Sequence, residues 1–137
     1  MQMNHSLRPV VELLATSPDP AFVVDRDGRI VHWNAAASTF FGTSAEETVG
    51  RHCATVVRGL TDAGEIQCAR NCPLLLQASR DDSYVVAELH VPTMPRPARW
   101  SRVAVHHVPL EDDSGEFAYL LHVITEVRED RDDRVRP

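Results

Sequence analysis

Residues 15–53, ATSPDPAFVVDRDGRIVHWNAAASTFFGTSAEETVGRHC, decide the fold of this chain. They contain two β-prone runs, AFVV at 21–24 and RIVHW at 29–33, on either side of Asp27-Gly28. An Asp-Gly pair between two such runs readily adopts the positive φ angles of a tight turn. This spacing predicts a β-hairpin near the start of the domain.

Two short helices should follow the hairpin. Asn34 stands where its side chain can cap the exposed amides of a helix over AAASTFF (35–41), and Gly42 would end that helix. Ser44 and Glu47 have the spacing of a capping box, in which each side chain bonds the backbone amide of the other residue. The second pattern therefore predicts another helix start.

A further helix is predicted upstream of the hairpin. In LRPVVELL (7–14) the apolar residues recur at spacings of three and four, which places them on one helix face. Pro18 and Pro20 should end this helix, because a proline disfavours helical backbone at the residue before it. We therefore assign residues 1–17 to an N-terminal flanking helix.

Downstream, one helix and three strands are predicted. Asn71 as a cap and Pro73 in the first turn mark a helix start, and the helix should reach about residue 80. Residues 52–59, HCATVVRG, are compatible with a helical turn, whereas residues 60–68, LTDAGEIQC, have loop composition and no stable period. The three strand-like runs that complete the domain are 84–91, 99–108 and 116–125.

This order of elements predicts an α+β domain over residues 18–126. It should have one mainly antiparallel sheet of five strands, with the short helices placed between strands 2 and 3. Residues 127–137 are nearly all charged, so we expect a solvated tail or the first turns of a signalling helix.

The composition disfavours several classes of function. The net charge of −6, from 14 Lys and Arg against 20 Asp and Glu, would repel nucleic acid. No run approaches the roughly 18 apolar residues that a membrane span needs. Three cysteines are an odd number, which fits a reducing compartment better than a secreted disulfide framework. We expect a cytoplasmic protein without direct nucleic-acid or membrane partners.

The chain resembles the PAS family over roughly residues 8–128. Its first half is similar to the PAS pattern of a strand, D-x-x-G, a strand that ends in W-N, and a small-residue helix that reaches F-G. Near the end, Ile124-Thr125-Glu126 matches the D-I-T-E exit motif, with Val123 at the aspartate position. The resemblance implies a sensory role, a sheet curled around a small cavity, and flanking helices that often pair subunits.

Three cysteines, Cys53, Cys68 and Cys72, fall in a segment that the general PAS pattern does not require. Thiolates bind zinc and iron–sulfur clusters, but a closed site needs four donors, so His52, an exogenous ligand or an open position would complete it. The pattern G-x-x-C, a loop and C-x3-C-P-L resembles a subset of PAS domains that precede histidine kinases and transcription regulators. Alternatively, two of the thiols are simply buried as small hydrophobic groups beside the helix that begins Pro-Leu-Leu-Leu.

Flavin and haem fit the sequence poorly. GRHC (50–53) resembles the flavin-reactive G-R-N-C motif of the light-sensing LOV branch, but three residues of the longer LOV motif are replaced. The replacements are His52, Ala54 and Val57. Haem needs an inward histidine, and strand alternation lets only one of His106 and His107 face the cavity. If Val103 and Val105 face inward, His107 does too, and a lone inward histidine is usually a hydrogen-bonded core residue.

No catalytic motif is found in the chain. G-x-S-x-G, H-E-x-x-H and G-x4-G-K-[S/T] are all missing from the sequence, and six glycines leave little for phosphate-binding loops. The acidic pairs fall at predicted helix ends or turns, where solvated carboxylates are ordinary. We therefore do not expect an enzyme.

The predicted function is signal input, in response to a small ligand or to a redox or metal state. The candidate cavity residues are Phe22, Val24, Phe40, Phe41, Leu74 and His107. The last strand is apolar on both faces, so residues 7–14 or a second subunit must cover it, and we predict a homodimer. The expected effector is a histidine kinase or transcription regulator, in the same chain or another. A ligand-free structural interaction module and a thiol-based redox protein are the alternatives.

Overall fold

The computed structural model describes residues 7–68, 72–81, 84–93 and 99–126. The helices and strands, in chain order, are α1 (Leu7–Ala15), β1 (Ala21–Asp25), β2 (Ile30–Trp33), α2 (Ala35–Phe41), α3 (Ala45–Thr48), α4 (Cys53–Val56), α5 (Pro73–Asp81), β3 (Val85–Thr93), β4 (Arg99–Glu111) and β5 (Phe117–Glu126). None of the helices in these ranges is long and apolar enough to cross a membrane.

The strands form one antiparallel sheet in the order β2-β1-β5-β4-β3. β1 pairs with both β2 and β5, so the first hairpin lies beside the last strand. β4 in turn pairs with β5 and β3. The helices α2 to α5 fall between β2 and β3 along the chain. The predicted α+β fold with a five-stranded antiparallel sheet is therefore confirmed.

The main core lies on the inner face of the sheet, where α2, α4 and α5 pack. Side chains alternate along a strand, so every second residue points to this face. The strand residues of the core are Phe22, Val24, Ile30, Trp33, Leu89, Val91, Val103, Val105, Leu120 and Ile124, and the helices add Ala37, Phe41, Cys53, Leu75 and Ala78. This core fixes the helices relative to β4 and β5.

A smaller core lies on the outer face of the sheet. There α1 places Leu7 and Leu14 against Ala21 and Val23 of β1, with partly buried residues of β5 around them. The sequence left open whether residues 7–14 or a second subunit covers this face. Within the single chain, α1 packs on it.

Asn34 joins α1, β1 and α2 through one buried side chain. Its Nδ2 donates to the carbonyl oxygens of Leu14 and Asp19, each at 3.0 Å. Its Oδ1 accepts from the backbone amides of Ala21 at 3.0 Å and Ala37 at 2.8 Å. The predicted cap of α2 therefore also holds the end of α1 against the start of β1.

The β1–β2 turn depends on Gly28, whose φ is 84°. Asp25 Oδ1 accepts hydrogen bonds from the amides of Asp27 at 2.9 Å and Arg29 at 3.0 Å, which closes the turn. The ring of His52 lies directly against this glycine, and a Cβ added there would be 2.5 Å from Nε2 of that ring. Both the backbone angle and the available space therefore require glycine.

Residues 57–68 include a small hairpin attached to the edge of β3. The sequence pattern did not predict this hairpin. Leu60 and His90 exchange two backbone hydrogen bonds of 2.9 and 2.8 Å. His90 Nε2 also lies 2.7 Å from Asp62 Oδ1. This contact pairs part of an edge strand whose amides and carbonyls would otherwise be open.

One strand is longer than expected. β4 runs over Arg99–Glu111 rather than 99–108, because its pairing with β5 continues as far as a bulge at its end. α4, Cys53–Val56, is a single helical turn and falls within residues 52–59, where the sequence allowed one. The predicted cap Asn71 and the charged tail at 127–137 lie outside the described residues.

Candidate functional site

A small cavity lies between the inner face of the sheet and the segments around α4 and α5. Its volume is about 20 Å³, which is enough for one water molecule. The lining residues are Phe22, Cys53, Val57, Gln67, Cys68, Cys72, Leu74, Leu89, Val105, His107, His122 and Ile124. The polar part of this lining therefore consists of two imidazoles, one amide and three thiols.

The two histidines are direct neighbours in the sheet. His107 of β4 and His122 of β5 are cross-strand partners, and their rings meet edge to face with centroids 4.7 Å apart. Both are buried, with 3% and 7% of their surface exposed. Phe22 stacks on His122, with centroids 4.3 Å apart and 12° between the planes. The sheet and this stacking hold both rings in place.

The hydrogen bonds of the pair fix which ring nitrogen carries the proton. His107 Nδ1 lies 3.3 Å from the carbonyl oxygen of Val85, and His122 Nδ1 lies 3.2 Å from that of Leu120. A carbonyl oxygen only accepts, so Nδ1 is the donor in both rings, and Nε2 of the neutral ring keeps a lone pair. Within the described residues neither Nε2 has a hydrogen-bond partner.

Burial keeps both imidazoles uncharged. Desolvation lowers the pKa of His107 to about 4, with a smaller contribution from the nearby His106. Desolvation, and then the charge of His107, lowers the pKa of His122 well below its ordinary value. At neutral pH the cavity is therefore lined by two neutral imidazoles.

Burial acts in the opposite direction on two of the thiols. It raises the pKa of Cys53 to about 12, and the neighbouring Cys68 and Cys72 add charge repulsion. It raises the pKa of Cys68 to about 11. Both groups are therefore protonated thiols at neutral pH, which are poor nucleophiles.

These thiols should react slowly in the native protein. Relative to an ordinary thiol of pKa 9.0, a pKa of about 11 lowers the thiolate fraction of Cys68 roughly 100-fold at pH 7. We expect modification of Cys53 and Cys68 by iodoacetamide to be slower than in the unfolded chain by at least that factor. Peptide mass mapping with and without denaturant measures both rates, and equal rates would contradict the assigned burial.

The cysteines do not form a ready metal site. Among the residues that the structure describes, no three His, Cys, Asp or Glu side chains are grouped closely enough to hold a metal ion. Contrary to expectation, His52 does not line the cavity. Its Nδ1 accepts from the amide of Ala54 at 3.1 Å, so the ring caps α4 beside Gly28. His52 therefore has a structural role at the opposite end of α4 from Val57.

The six predicted cavity residues fall into two groups. Phe22, Leu74 and His107 line the cavity, whereas Val24, Phe40 and Phe41 do not. Phe41 packs on Trp33, with centroids 5.3 Å apart, because α2 covers the β1–β2 end of the sheet while the cavity lies over β4 and β5. Phe40 borders a separate open groove of about 510 Å³ beside the end of β5.

The sequence prediction did not single out His122. It treated an inward histidine as a lone residue, whereas the structure places two side by side. The available signal was strand alternation, since His122 lies between the inward Leu120 and Ile124 on the same face of β5. The pairing with His107 depends on the register between strands, which a single strand does not reveal.

Comparison with known proteins identifies the fold family. Residues 14–132 match the family described as PAS fold. A 50-residue segment is 40% identical to phytochrome B-2 of Glycine max; it makes up 36% of this chain and spans 4% of that protein's length.

Solved structures agree with this match. The PAS domain of Bordetella pertussis BvgS superposes with a TM-score of 0.64 at 19% identity, over 95% of this chain and 91% of that one. The PAS domain of the Cronobacter turicensis RpfR quorum-sensing receptor, solved in complex with BDSF, gives 0.62 at 16% identity, over 84% and 99%. Together with the sheet order, the family match shows that this chain belongs to the PAS family.

Proposed function

We propose that this PAS domain is a non-enzymatic signal-input module whose cavity takes a very small ligand. The observation that supports the proposal is the histidine pair, His107 and His122, two buried imidazoles that line the cavity side by side. Removing a polar imidazole ring from water costs free energy, and apolar side chains would fill this space at lower cost. Natural proteins keep such local costs mainly where function uses them.

The size of the cavity limits the ligand. Pockets for drug-sized ligands measure roughly 300–1,000 Å³, whereas this cavity measures about 20 Å³. The RpfR PAS domain has been solved in complex with BDSF and with C12:0, which supports a ligand-binding role for a domain of this fold. In this cavity the dimensions favour a single ion or a molecule near the size of water over haem or flavin.

The alternatives have less support. A thiol-based redox protein needs a reactive thiolate, and the raised pKa values of Cys53 and Cys68 disfavour one at these two positions. A ligand-free interaction module gives no reason to bury two imidazoles at a cavity. The C-x3-C-P-L pattern supports placing the domain in the subset that precedes histidine kinases and transcription regulators. We therefore propose such an effector, in the same chain or another, and a reducing cytoplasmic setting.

Absorption spectroscopy tests the size limit. Haem, flavin and iron–sulfur centres each absorb visible light, so protein purified without oxygen should be colourless and should contain no acid-labile sulfide. A stoichiometric visible chromophore that stays with the folded protein through gel filtration would contradict a cavity for a water-sized ligand.

We also propose that the domain forms a homodimer through α1. Leu13 exposes 74% of its surface on this helix, while Val10 and Val11 are only partly buried. A second copy packed on α1 would remove this apolar surface from water. The predicted state is a dimer in sedimentation experiments at micromolar concentration.

A matched pair of variants locates the dimer contact. Leu13→Glu should yield monomers, because it places a charge in the proposed interface. Ile66→Glu changes an equally exposed residue, also at 74%, in the small hairpin beside β3, and it should remain dimeric. A wild-type monomer, or an identical response of both variants, would refute an interface through α1.

A further inference from the structure

We propose that His107 and His122 are the fixed half of a binding site for a transition-metal ion such as Zn²⁺, which a cavity thiolate completes. The inference rests on the proposed ligand-binding role of the cavity and names the class of ligand. It differs from the metal site that the sequence suggested. There, His52 was a possible fourth ligand beside the three cysteines, and neither His107 nor His122 was a ligand.

The protonation of the two rings supports this assignment. Nδ1 of each ring donates to a backbone carbonyl, His107 to Val85 and His122 to Leu120. Metal-binding histidines are commonly oriented by this kind of hydrogen bond at the nitrogen that does not bind the ion. Each Nε2 is left as an electron-pair donor with nothing to accept that pair among the described residues. Two neighbouring imidazole nitrogens of this kind can bind one metal ion together.

The remaining lining narrows the choice of ion. Cys53, Cys68 and Cys72 bring three sulfur atoms to the same cavity. Imidazole nitrogen together with thiolate sulfur is a donor set typical of Zn²⁺, whereas Mg²⁺ and Ca²⁺ prefer oxygen. Each thiol that binds would release its proton to solvent as the S–H bond is replaced by a sulfur–metal bond. A volume of about 20 Å³ suits one ion without a shell of water.

The donor atoms are too far apart to hold an ion as they stand, so metal binding would have to change the conformation. Among the residues that the structure describes, no three donor side chains are close enough together to hold a metal ion. The histidines lie on paired strands. Cys68, in contrast, follows the small hairpin, which is attached to β3 by the backbone hydrogen bonds between Leu60 and His90. Metal binding would therefore draw a thiol-bearing segment towards the sheet. A ligand that favours one arrangement over another in this way shifts a conformational equilibrium, as signalling requires.

Cobalt titration tests the proposal, because Co²⁺ occupies zinc sites and reports its ligands spectroscopically. Addition of Co²⁺ to the reduced, oxygen-free chain should produce thiolate-to-cobalt charge-transfer absorption and the visible bands of tetrahedral cobalt, and Zn²⁺ should remove both. His107→Gln and His122→Gln should each weaken Co²⁺ affinity by more than about 100-fold, since losing even an outer hydrogen-bond partner costs 10–100-fold.

The matched control is His106→Gln. His106 neighbours His107 but belongs to the opposite face of β4, where it contacts Tyr84 and Thr125. Its replacement should leave cobalt affinity unchanged. Circular dichroism without metal checks that each variant folds. If a cavity variant does not fold, wild-type NMR decides instead, because Zn²⁺ should shift the Nε2 resonances of His107 and His122 and not that of His106.

Lack of charge-transfer absorption, or cobalt binding that survives both cavity substitutions, would overturn the proposal. So would Nε2 resonances that do not respond to Zn²⁺. A chain that binds no cobalt but carries a small organic molecule would refute the metal site and leave the proposed sensory role standing.

Discussion

Replacing Asn34 by alanine should lower the free energy of unfolding by about 3–5 kcal/mol, because it leaves four backbone groups without their hydrogen-bond partner. The side chain accepts from two amides and donates to two carbonyl oxygens, and only 3% of it is exposed. Each buried group left without a partner costs roughly 1–3 kcal/mol, and relaxation or water recovers part of the sum. Urea denaturation followed by circular dichroism measures the loss.

Ser44→Ala is the matched control for this effect. Ser44 also caps a helix, accepting from the amide of Glu47 at 3.2 Å, but it is exposed and joins no other elements. Its loss should cost only about 1 kcal/mol, the usual value for an exposed cap. Equal effects of the two substitutions would show that Asn34 is an ordinary cap and not the junction of α1, β1 and α2.

Asn34→Asp separates the two halves of the junction. Aspartate keeps an oxygen for the amides of Ala21 and Ala37 but replaces the donating Nδ2 by an acceptor that faces two carbonyl oxygens. We expect α2 to persist while α1 loosens from the outer face. The variant should therefore show a larger increase in the amide hydrogen-exchange rate in α1 than in α2. An equal increase in both helices would contradict this assignment.

Gly28→Ala should destabilise the domain by about 3 kcal/mol, through backbone strain and overlap together. A φ of 84° costs an alanine roughly 1–2 kcal/mol. The new Cβ would also lie 2.5 Å from the ring of His52, which is itself buried and capping α4. Either the ring or the β1–β2 turn must therefore move.

Gly64→Ala isolates the strain from the overlap. Gly64 has a φ of 82° and nothing within 4 Å of an added Cβ, so only the strain of about 1–2 kcal/mol should remain. In addition, shortening His52 to alanine should reduce the extra cost of Gly28→Ala, which a double-mutant cycle measures. If the two glycine substitutions cost the same, the contact between Gly28 and His52 has no energetic weight.

Local signals in the sequence predicted much of the fold. The Asp-Gly turn, the cap at Asn34, Gly42 as a helix end and the capping box at Ser44 all depend on neighbours within a few residues, and all are present. Hydrophobic alternation similarly revealed the three C-terminal strands. These features could be read because their physical causes lie close together along the chain.

The site was harder to predict, since its causes lie far apart along the chain. His107 and His122 meet only because β4 and β5 pair in one register. His52 looked like a metal ligand beside Cys53, yet its partner is the turn at Gly28, 24 positions earlier. The small volume of the cavity depends on how closely the α4 and α5 segments pack on the sheet. No single sequence motif predicts that packing.

Native mass spectrometry tests the central claim most directly, since that claim is that the histidine-lined cavity holds a small ligand. Protein purified without oxygen should show a native mass that exceeds its denatured mass by one ion or small molecule. The folded double variant His107→Gln, His122→Gln should show no excess. A bare native mass for the wild type, or the same excess in both proteins, would contradict the account.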